Sequence, residues 1–281
     1  MSAPRPYPDA SVLRLEEIEV TYRRPDGAAV RAVRGASLEV LAGEIVGLVG
    51  ESGCGKSSLG RAAVGLEKLQ SGTVAFKGQP VHPLGRRPRP ATLRPLQLLF
   101  QDPYSSLNPR RKVGHQLADG VRAAGEAPTS ARVAELLGMV AMPASAAQRY
   151  PHEFSGGQRQ RLAIGRALAA RPAMLVADEP VSALDASAQA AIVTLLAELS
   201  RQTGIGILFI SHDLGVVHQI AHKVAVMYLG KIVESGFIED VWRDPRHPYT
   251  SALISAAPVA DGGGHLPAGL AGEVPNPSAP P

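Results

Sequence analysis

The chain begins with two stretches in which apolar and polar residues largely alternate, Val12–Val20 and Val30–Leu41. Alternation with a period of two is typical of a β-strand that buries one face. The turn-forming residues Pro25-Asp26-Gly27 separate the two stretches. The pattern therefore predicts an antiparallel sheet at the start of the chain, and a further strand fits Thr73–Phe76.

Short apolar runs that alternate with helical periodicity make up most of the rest of the chain. The runs that predict buried strands are Glu44–Val49, Leu96–Phe100, Ala173–Ala177, Gly206–Ile210 and Lys223–Tyr228. Between them the pattern predicts a helix from near Lys56, one from about Gln158 that stops before Pro172, one with Ile192, Leu195, Leu196 and Leu199 on a single face, and one over Asp213–His222. Such alternation predicts an α/β fold with a mostly parallel sheet wrapped by helices.

The block from Gln101 to Glu153 has a helical texture that interrupts this alternation. Val133, Leu136, Leu137 and Val140 fall on one face of a helix. We therefore expect a helical subdomain, at about residues 102–160, inserted into one domain that covers residues 12–257. Residues 1–11 would be a lead segment, Gly85–Pro95 a loop, and the Gly- and Pro-rich residues 258–281 an unstructured tail.

Composition limits the class of protein without identifying it. The 281 residues are 45% hydrophobic, as in a folded protein, and carry a formal net charge of +4, which is too weak to demand an anionic partner. The single cysteine excludes an intrachain disulfide and cannot alone form a zinc site or an iron–sulfur cluster. No apolar run approaches the roughly 18 residues that span a bilayer, and the proline-rich N-terminus lacks a secretory h-region. These features favour the cytosol.

The phosphate-binding pattern GxxxxGK[ST] occurs in the run Gly50-Glu51-Ser52-Gly53-Cys54-Gly55-Lys56-Ser57, which Ser58 follows. It stands between a predicted strand and a predicted helix, as the pattern requires. Glycines allow successive N–H groups to face an anion, and the helix N-terminus adds its positive dipole end. Lys56 would reach the β- and γ-phosphates, and Ser57 would offer its hydroxyl to Mg²⁺. Cys54 occupies a free position of the pattern, where we expect a small packed residue rather than a catalytic thiol.

A second candidate element is the apolar strand that ends in Asp178 and Glu179. Alone, a strand that ends in two acidic residues is more often a solvated strand end. Together with the upstream phosphate loop, it indicates a metal-binding acid, Asp178, and a general base, Glu179, that accepts a proton from the attacking water.

The run Ser155-Gly156-Gly157-Gln158 is a capping box, which is a sufficient structural explanation for it. Its place in FSGGQRQR resembles the signature motif of ATP-binding-cassette (ABC) ATPases. The other marks of that family follow the same order, with Gln101 at the head of the helical block, Ser182-Ala183-Leu184-Asp185 after the acidic strand, and His212 in Ile210-Ser211-His212-Asp213. The resemblance covers Val12 to about Pro258 and implies a P-loop NTPase (RecA-like) core with an antiparallel β-subdomain.

Further roles are implied by this resemblance. Tyr22 would stack on the adenine of ATP, although strands also favour tyrosine for packing. Gln101 would contact Mg²⁺ and the lytic water, and His212 would contact the γ-phosphate. Ser155, Gly156 and Gly157, with Gln158 beside them, would touch the γ-phosphate of nucleotide that the other subunit holds. Asp185 would lie in the loop that crosses to the partner subunit. Two such ATPases, identical or not, would then meet head to tail around two ATP molecules.

Two further segments resemble the peptide and nickel importer branch of the family. They are Gln101-Asp102-Pro103-Tyr104-Ser105-Ser106-Leu107-Asn108-Pro109-Arg110 and His247-Pro248-Tyr249-Thr250-Ser251-Ala252-Leu253. The resemblance implies a peripheral ATPase on the cytoplasmic face of the membrane, with two membrane-spanning permease subunits and a solute-binding protein as partners. We expect a dipeptide or oligopeptide as cargo, with nickel or another small solute as the alternative. With one cysteine, the iron–sulfur cluster of some relatives is not expected.

Two other classes of function compete with transport. Soluble ABC proteins of DNA repair or translation usually carry a long coiled coil, zinc cysteines or a second cassette, and none is visible in this sequence. The basic loop with Arg86, Arg87, Arg89 and Arg94 lacks interleaved aromatic residues, so nucleic acid is not an expected partner. A small-molecule P-loop kinase would have no use for the SGGQ helix.

Overall fold

The structure is a computed structural model that describes residues 11–23, 27–85, 89–102 and 106–256. Its strands are β1 (Ser11–Arg23), β2 (Ala29–Leu41), β3 (Ile45–Val49), β4 (Ser71–Phe76), β5 (Gln79–Pro80), β6 (Leu96–Leu99), β7 (Met174–Asp178), β8 (Gly206–Ser211), β9 (Lys223–Tyr228) and β10 (Lys231–Phe237). Its α-helices are α1 (Lys56–Ala63), α2 (Val113–Ala123), α3 (Ser130–Met139), α4 (Gly156–Ala169), α5 (Ala186–Thr203), α6 (Leu214–Ile220), α7 (Ile238–Arg243) and α8 (Pro248–Ala256). Short 3₁₀ turns cover Ala91–Leu93, Ala144–Gln148 and Pro151–Glu153.

The central sheet has six strands in the order β10-β9-β3-β8-β7-β6. All neighbouring pairs are parallel except β10 with β9 at the edge. Successive residues of each inner strand belong to opposite hydrophobic clusters. In β3, for example, Ile45 and Val49 lie in one cluster, and Val46 and Leu48 lie in the other. A sheet buried on both faces needs continuous apolar strands, which is the pattern that the sequence showed.

A second, antiparallel sheet in the order β2-β1-β4-β5 covers one face of the central sheet. Helix α1 lies between the two sheets and contacts β1 and β2 on one side and β7 and β8 on the other. The remaining helices cover the opposite face. Because α1 begins at Lys56, this arrangement places the phosphate loop where the two sheets meet.

Helices α2 and α3 occupy the chain between β6 and β7, within the predicted helical block. The apolar face proposed for α3 is buried, although the helix ends at Met139 and Val140 follows it as a fully buried capping residue. The expected subdomain boundary at residue 160 falls inside α4, which packs against α2 and α3 as well as α5 and β6.

The α/β fold with a mostly parallel core and an antiparallel sheet is confirmed, with differences at the ends of elements. Helix α4 begins at Gly156 rather than Gln158, because Ser155 caps it. The segment Gly85–Pro95 is not all loop, since burial of Leu93 accompanies a 3₁₀ turn there. Most of the lead segment 1–11, most of the turn Pro25-Asp26-Gly27 and the whole of the tail 258–281 lie outside the described residues. In the described part of the chain, no helix is both long and apolar enough to cross a membrane.

Candidate nucleotide-binding site

The loop between β3 and α1 has a backbone that only glycine adopts readily at three positions, the first of which is Gly50 at φ 153°. Gly53 has φ 83° and Gly55 has φ 110°. A Cβ placed on Gly55 would lie 2.1 Å from the carbonyl oxygen of Ala32 in β2, whereas nothing lies within 4 Å of one placed on Gly53. The loop therefore needs glycine at position 55 for space as well as for conformation.

Lys56 folds back over this loop. Its side chain is buried, and its Nζ donates hydrogen bonds to the carbonyl oxygens of Gly50 (2.7 Å) and Glu51 (2.8 Å). A cavity of about 300 Å³ opens beside it, lined by Ala32, Ser52, Gly53, Gly55, Lys56, Ser57, Ser58, Gln101 and Glu179. An ammonium group, loop N–H groups and a helix N-terminus at one cavity fit a phosphate chain.

Ser57 and Asp178 supply a pair of oxygen atoms next to the cavity. The Ser57 hydroxyl donates to Asp178 Oδ1 at 2.8 Å, so the start of α1 is joined to the end of β7. Burial raises the pKa of the Asp178 carboxyl, and the hydrogen bond from Ser57 opposes this shift. A hydroxyl and a carboxylate beside a phosphate site are the donor types that Mg²⁺ prefers, so the residues fit the expected cation.

Glu179 is the point at which three predicted residues converge. Its Oε2 accepts a hydrogen bond from Gln101 Nε2 at 3.2 Å and lies 3.3 Å from His212 Nδ1. Its backbone is held at φ 45°, and its N–H donates to the Ile210 carbonyl oxygen at 3.0 Å. A non-glycine residue at positive φ is strained, and such residues cluster at functional sites.

Tyr22 reaches the same region from the antiparallel sheet. Its hydroxyl donates to Ser58 Oγ at 3.1 Å, and burial raises its pKa. Tyr22 does not line the cavity itself, so its predicted contact with adenine stays a prediction.

The signature residues lie together at a different place. Ser155 and Gln158 form the predicted capping box, with hydrogen bonds of 3.3 Å and 3.1 Å. A Cβ on Gly157 would lie 3.0 Å from Ala188 Cβ, so the start of α4 packs against the start of α5, which Asp185 caps. Of the described residues that line the phosphate-loop cavity, none belongs to this group. The fold thus brings the predicted site residues together in two separate sets.

Cys54 is 7% exposed, and burial raises the pKa of its thiol. This environment agrees with a packed small residue at that position of the loop.

Sequence reasoning missed a contact from the far end of the chain. The Glu51 N–H donates to the Tyr249 hydroxyl at 2.9 Å. The sequence offered one signal, the His247-Pro248-Tyr249 segment, but only as a mark of a family branch.

The basic loop is partly turned inward. Arg89 donates to the carbonyl oxygens of Leu96 and Val64, and Arg94 donates to that of Ala123. Arg86 and Arg87 lie outside the described residues. Two of the four arginines thus bind backbone carbonyl groups of this chain.

Comparison with known proteins gives two family matches. Residues 33–182 match the model described as ABC transporter, and residues 233–281 match the model described as oligopeptide/dipeptide transporter, C-terminal region. The solved structure of the ATP-binding cassette MJ0796, a dimer in a post-hydrolysis state bound to ADP and Pi, has a TM-score of 0.71 and 25% identity, over 80% of this chain and 98% of that chain.

Two curated relatives illustrate the sequence similarity. The oligopeptide transport ATP-binding protein OppF of Bacillus subtilis is 46% identical over 89% of this chain and 83% of its own length. The glutathione import ATP-binding protein GsiA of Pectobacterium atrosepticum is 51% identical over 83% of this chain, which spans only 38% of that protein. On these grounds, the chain belongs to the ABC transporter family, as one of its ATP-binding cassettes.

Proposed function

We propose that the chain is the ATP-binding and ATP-hydrolysing subunit that powers import of dipeptides or oligopeptides through a membrane ABC transporter. The observation that carries the cargo class is the match of residues 233–281 to the oligopeptide/dipeptide C-terminal region. The relatives named for peptide and glutathione import support it. A cassette over residues 12–257, with a helical insert at about 102–160, is the corresponding domain organisation.

The phosphate chain of ATP would lie in the cavity beside Lys56. The loop N–H groups would face its oxygen atoms, and the Lys56 ammonium, positioned by the Gly50 and Glu51 carbonyl oxygens, would reach the phosphate oxygens. Ser57 and Asp178, with Gln101 close by, would hold Mg²⁺, which supplies charge neutralisation when bound. Tyr22 would meet the adenine from the antiparallel sheet.

Glu179 would act as the general base toward the attacking water. Its Oε2 is the proton acceptor, and Gln101 and His212 hold that oxygen in place from two other elements. A positioned base of this kind contributes about 10²- to 10⁴-fold to a rate. His212, half-exposed, would also reach the γ-phosphate.

The signature residues would complete the site of a second ATPase subunit. They lie away from the cavity of their own chain, and Ser155, Gln158 and Asp185 are exposed. Two subunits, identical or not, would meet head to tail so that each signature helix faces the partner's nucleotide. The closed pair of subunits would bind ATP and ADP with different affinities, so hydrolysis of ATP to ADP would reopen it.

A groove of about 740 Å³ offers a route to the membrane partners. It lies between the helical insert and β6 and is lined by residues that closely follow Gln101, including Leu107, Asn108 and Arg110. If a permease segment binds in this groove, a movement of Gln101 would be transmitted to it through these neighbouring residues. The full complex would hold two permease subunits and a solute-binding protein, with this chain on the cytoplasmic face.

The test is to co-purify the chain with the permeases and solute-binding protein encoded beside it and reconstitute the complex in vesicles. ATP-dependent uptake of a labelled dipeptide, abolished by Lys56→Ala, supports the proposal. Uptake of nickel alone would favour the alternative cargo. ATPase stimulation by nucleic acid, with no uptake of either solute, would contradict the transport function.

A further inference from the structure

The C-terminal strap, defined here as residues 231–256 (β10, α7 and α8), is held together by hydrogen bonds among its own residues. It also contacts the phosphate loop. The Glu234 carboxylate in β10 accepts hydrogen bonds from the N–H groups of Arg246 (2.8 Å) and His247 (3.0 Å). His247 Nδ1 in turn accepts from the Tyr249 N–H at 3.1 Å. These bonds fix the first turn of α8 against the edge strand of the central sheet.

Tyr249 is the residue of the strap that contacts the phosphate loop. Its ring packs on that of Tyr228 at the end of β9, with 4.4 Å between ring centroids. Its hydroxyl oxygen accepts the N–H of Glu51 at 2.9 Å. Burial raises the pKa of the Tyr249 hydroxyl further above its ordinary value, so the hydroxyl is protonated at physiological pH.

The Glu51 N–H and the Gly50 carbonyl belong to one peptide unit, and this unit is held from both sides. Lys56 Nζ donates to the Gly50 carbonyl oxygen at 2.7 Å, and Tyr249 accepts from the Glu51 N–H on the other side. Since a peptide unit is planar, rotation of the N–H away from Tyr249 would move the carbonyl that positions the ammonium. The orientation of Lys56 is therefore coupled to Tyr249.

A second contact from the same side of the molecule supports this arrangement. The Gly230 N–H, just before the strap, donates to the Cys54 carbonyl oxygen at 2.9 Å. The phosphate loop is thus held near both of its ends by the C-terminal part of the chain.

We propose that Tyr249 is a positioning residue for nucleotide binding, which acts by fixing the peptide unit between Gly50 and Glu51. The inference rests on the proposed function, because it assumes that this loop binds the phosphates of ATP. Without the hydroxyl, the loop would spend less time in the binding-competent conformation, and the apparent affinity for ATP would fall by that fraction.

The test compares Tyr249→Phe with the matched control Tyr228→Phe in the full chain. Both substitutions remove one hydroxyl and keep the ring, and the two rings pack directly on each other. We expect the ATP Kd of Tyr249→Phe to rise about two- to tenfold, the equivalent of one hydrogen bond. The control should keep the wild-type Kd. Thermal unfolding of each nucleotide-free variant separates a loss of fold from a loss of affinity.

Amide hydrogen exchange of the wild-type protein gives an independent readout. The Glu51 amide should be protected in the nucleotide-free wild type and exchange faster in Tyr249→Phe. Wild-type binding of ATP with an unchanged Kd in a folded Tyr249→Phe variant would overturn the inference and leave the proposed function intact. Fast exchange of the wild-type Glu51 amide would also overturn it. If the wild-type protein fails to bind ATP and Lys56→Ala behaves in the same way, both the proposed function and this inference are wrong.

Discussion

The Ser57 hydroxyl and the Asp178 carboxylate are 2.8 Å apart, although 121 positions separate the two residues along the chain. Ser57 lies in the first turn of α1, and Asp178 is the last residue of β7. The bond joins the phosphate loop to the acidic strand and leaves two oxygen atoms together beside the cavity. Both halves of the proposed cation site are therefore in place in the isolated chain.

Removing the Ser57 hydroxyl or the negative charge of Asp178 should weaken the response to Mg²⁺. We expect Ser57→Ala or Asp178→Asn to raise the Mg²⁺ concentration for half-maximal ATP turnover about tenfold or more. Because the two groups share one contact, the double variant should show less than the product of the two single effects. A Mg²⁺ titration of phosphate release measures this. Ser71→Ala, at the exposed start of β4, should keep the wild-type requirement. Purely multiplicative effects of the two site variants would argue against a shared site.

Replacing Glu179 by Gln keeps the shape of the side chain and removes its basicity. ATP turnover in the assembled complex should fall about 10²- to 10⁴-fold, while ATP binding is retained. The exposed carboxylate of Glu198 in α5 offers a matched control, and Glu198→Gln should keep near-normal turnover. Near-normal turnover in Glu179→Gln would remove its assignment as the base.

Alanine substitutions at two glycines of the phosphate loop distinguish backbone strain from steric overlap. Gly53→Ala forces an L-residue into positive φ without a clash and should lower the free energy of unfolding by about 1–2 kcal/mol. Gly55→Ala adds an overlap with the Ala32 carbonyl oxygen, so the loss should reach about 2–5 kcal/mol. Urea unfolding of both variants tests the order. Equal losses would show that the contact with β2 relaxes easily.

The buried Cys54 thiol should react slowly. Burial raises its pKa, so the folded protein holds less thiolate at neutral pH than a free cysteine does. Iodoacetamide labelling followed by mass spectrometry should be slower in the folded chain than in guanidinium chloride. It should be slower still with ATP bound, and complete modification should impair ATP hydrolysis. Equal rates in the folded and unfolded chain would contradict the burial.

His222 should make stability depend on pH. Burial lowers its pKa below the ordinary 6.5, and its Nδ1 accepts the Ile45 N–H at 2.9 Å, which requires the neutral ring. The unfolded chain therefore takes up a proton first as pH falls below about 6.5, and stability should decline in that range by at most about 1.4 kcal/mol per pH unit.

Urea unfolding at intervals between pH 7.5 and 5.5 measures this slope. His222→Asn can still accept the Ile45 N–H and should flatten it. An unchanged slope in that variant would assign the pH dependence to other groups.

Local patterns along the sequence predicted most of the architecture, because each depends on neighbours within one element. The apolar run Ile45–Val49, the glycine spacing of the loop and the cap at Ser155 were all of this kind. The apolar strand that ends in two acidic residues predicted Glu179, and the resemblance to a known family added Gln101 and His212. The fold then brings these three residues within hydrogen-bonding distance.

Contacts between distant elements were beyond such reasoning. The approach of the Ala32 carbonyl to Gly55 depends on how the two sheets pack. The inward hydrogen bonds of Arg89 depend on where the C-terminal end of α1 lies. The Glu51–Tyr249 bond requires β9 to pair with β3 and β10 to pair with β9, because these strands carry Tyr249 to the loop.

That bond also bears on the order of synthesis. Glu51 and Tyr249 are separated by 198 positions, so the loop emerges from the ribosome long before its last support does. At about 5–20 residues per second, a ribosome needs roughly 10–40 s to translate the interval. During that time the nascent chain carries its phosphate-binding motif without the tyrosine that orients it. Full affinity for nucleotide would then develop only late in translation, after the sheet edge has closed.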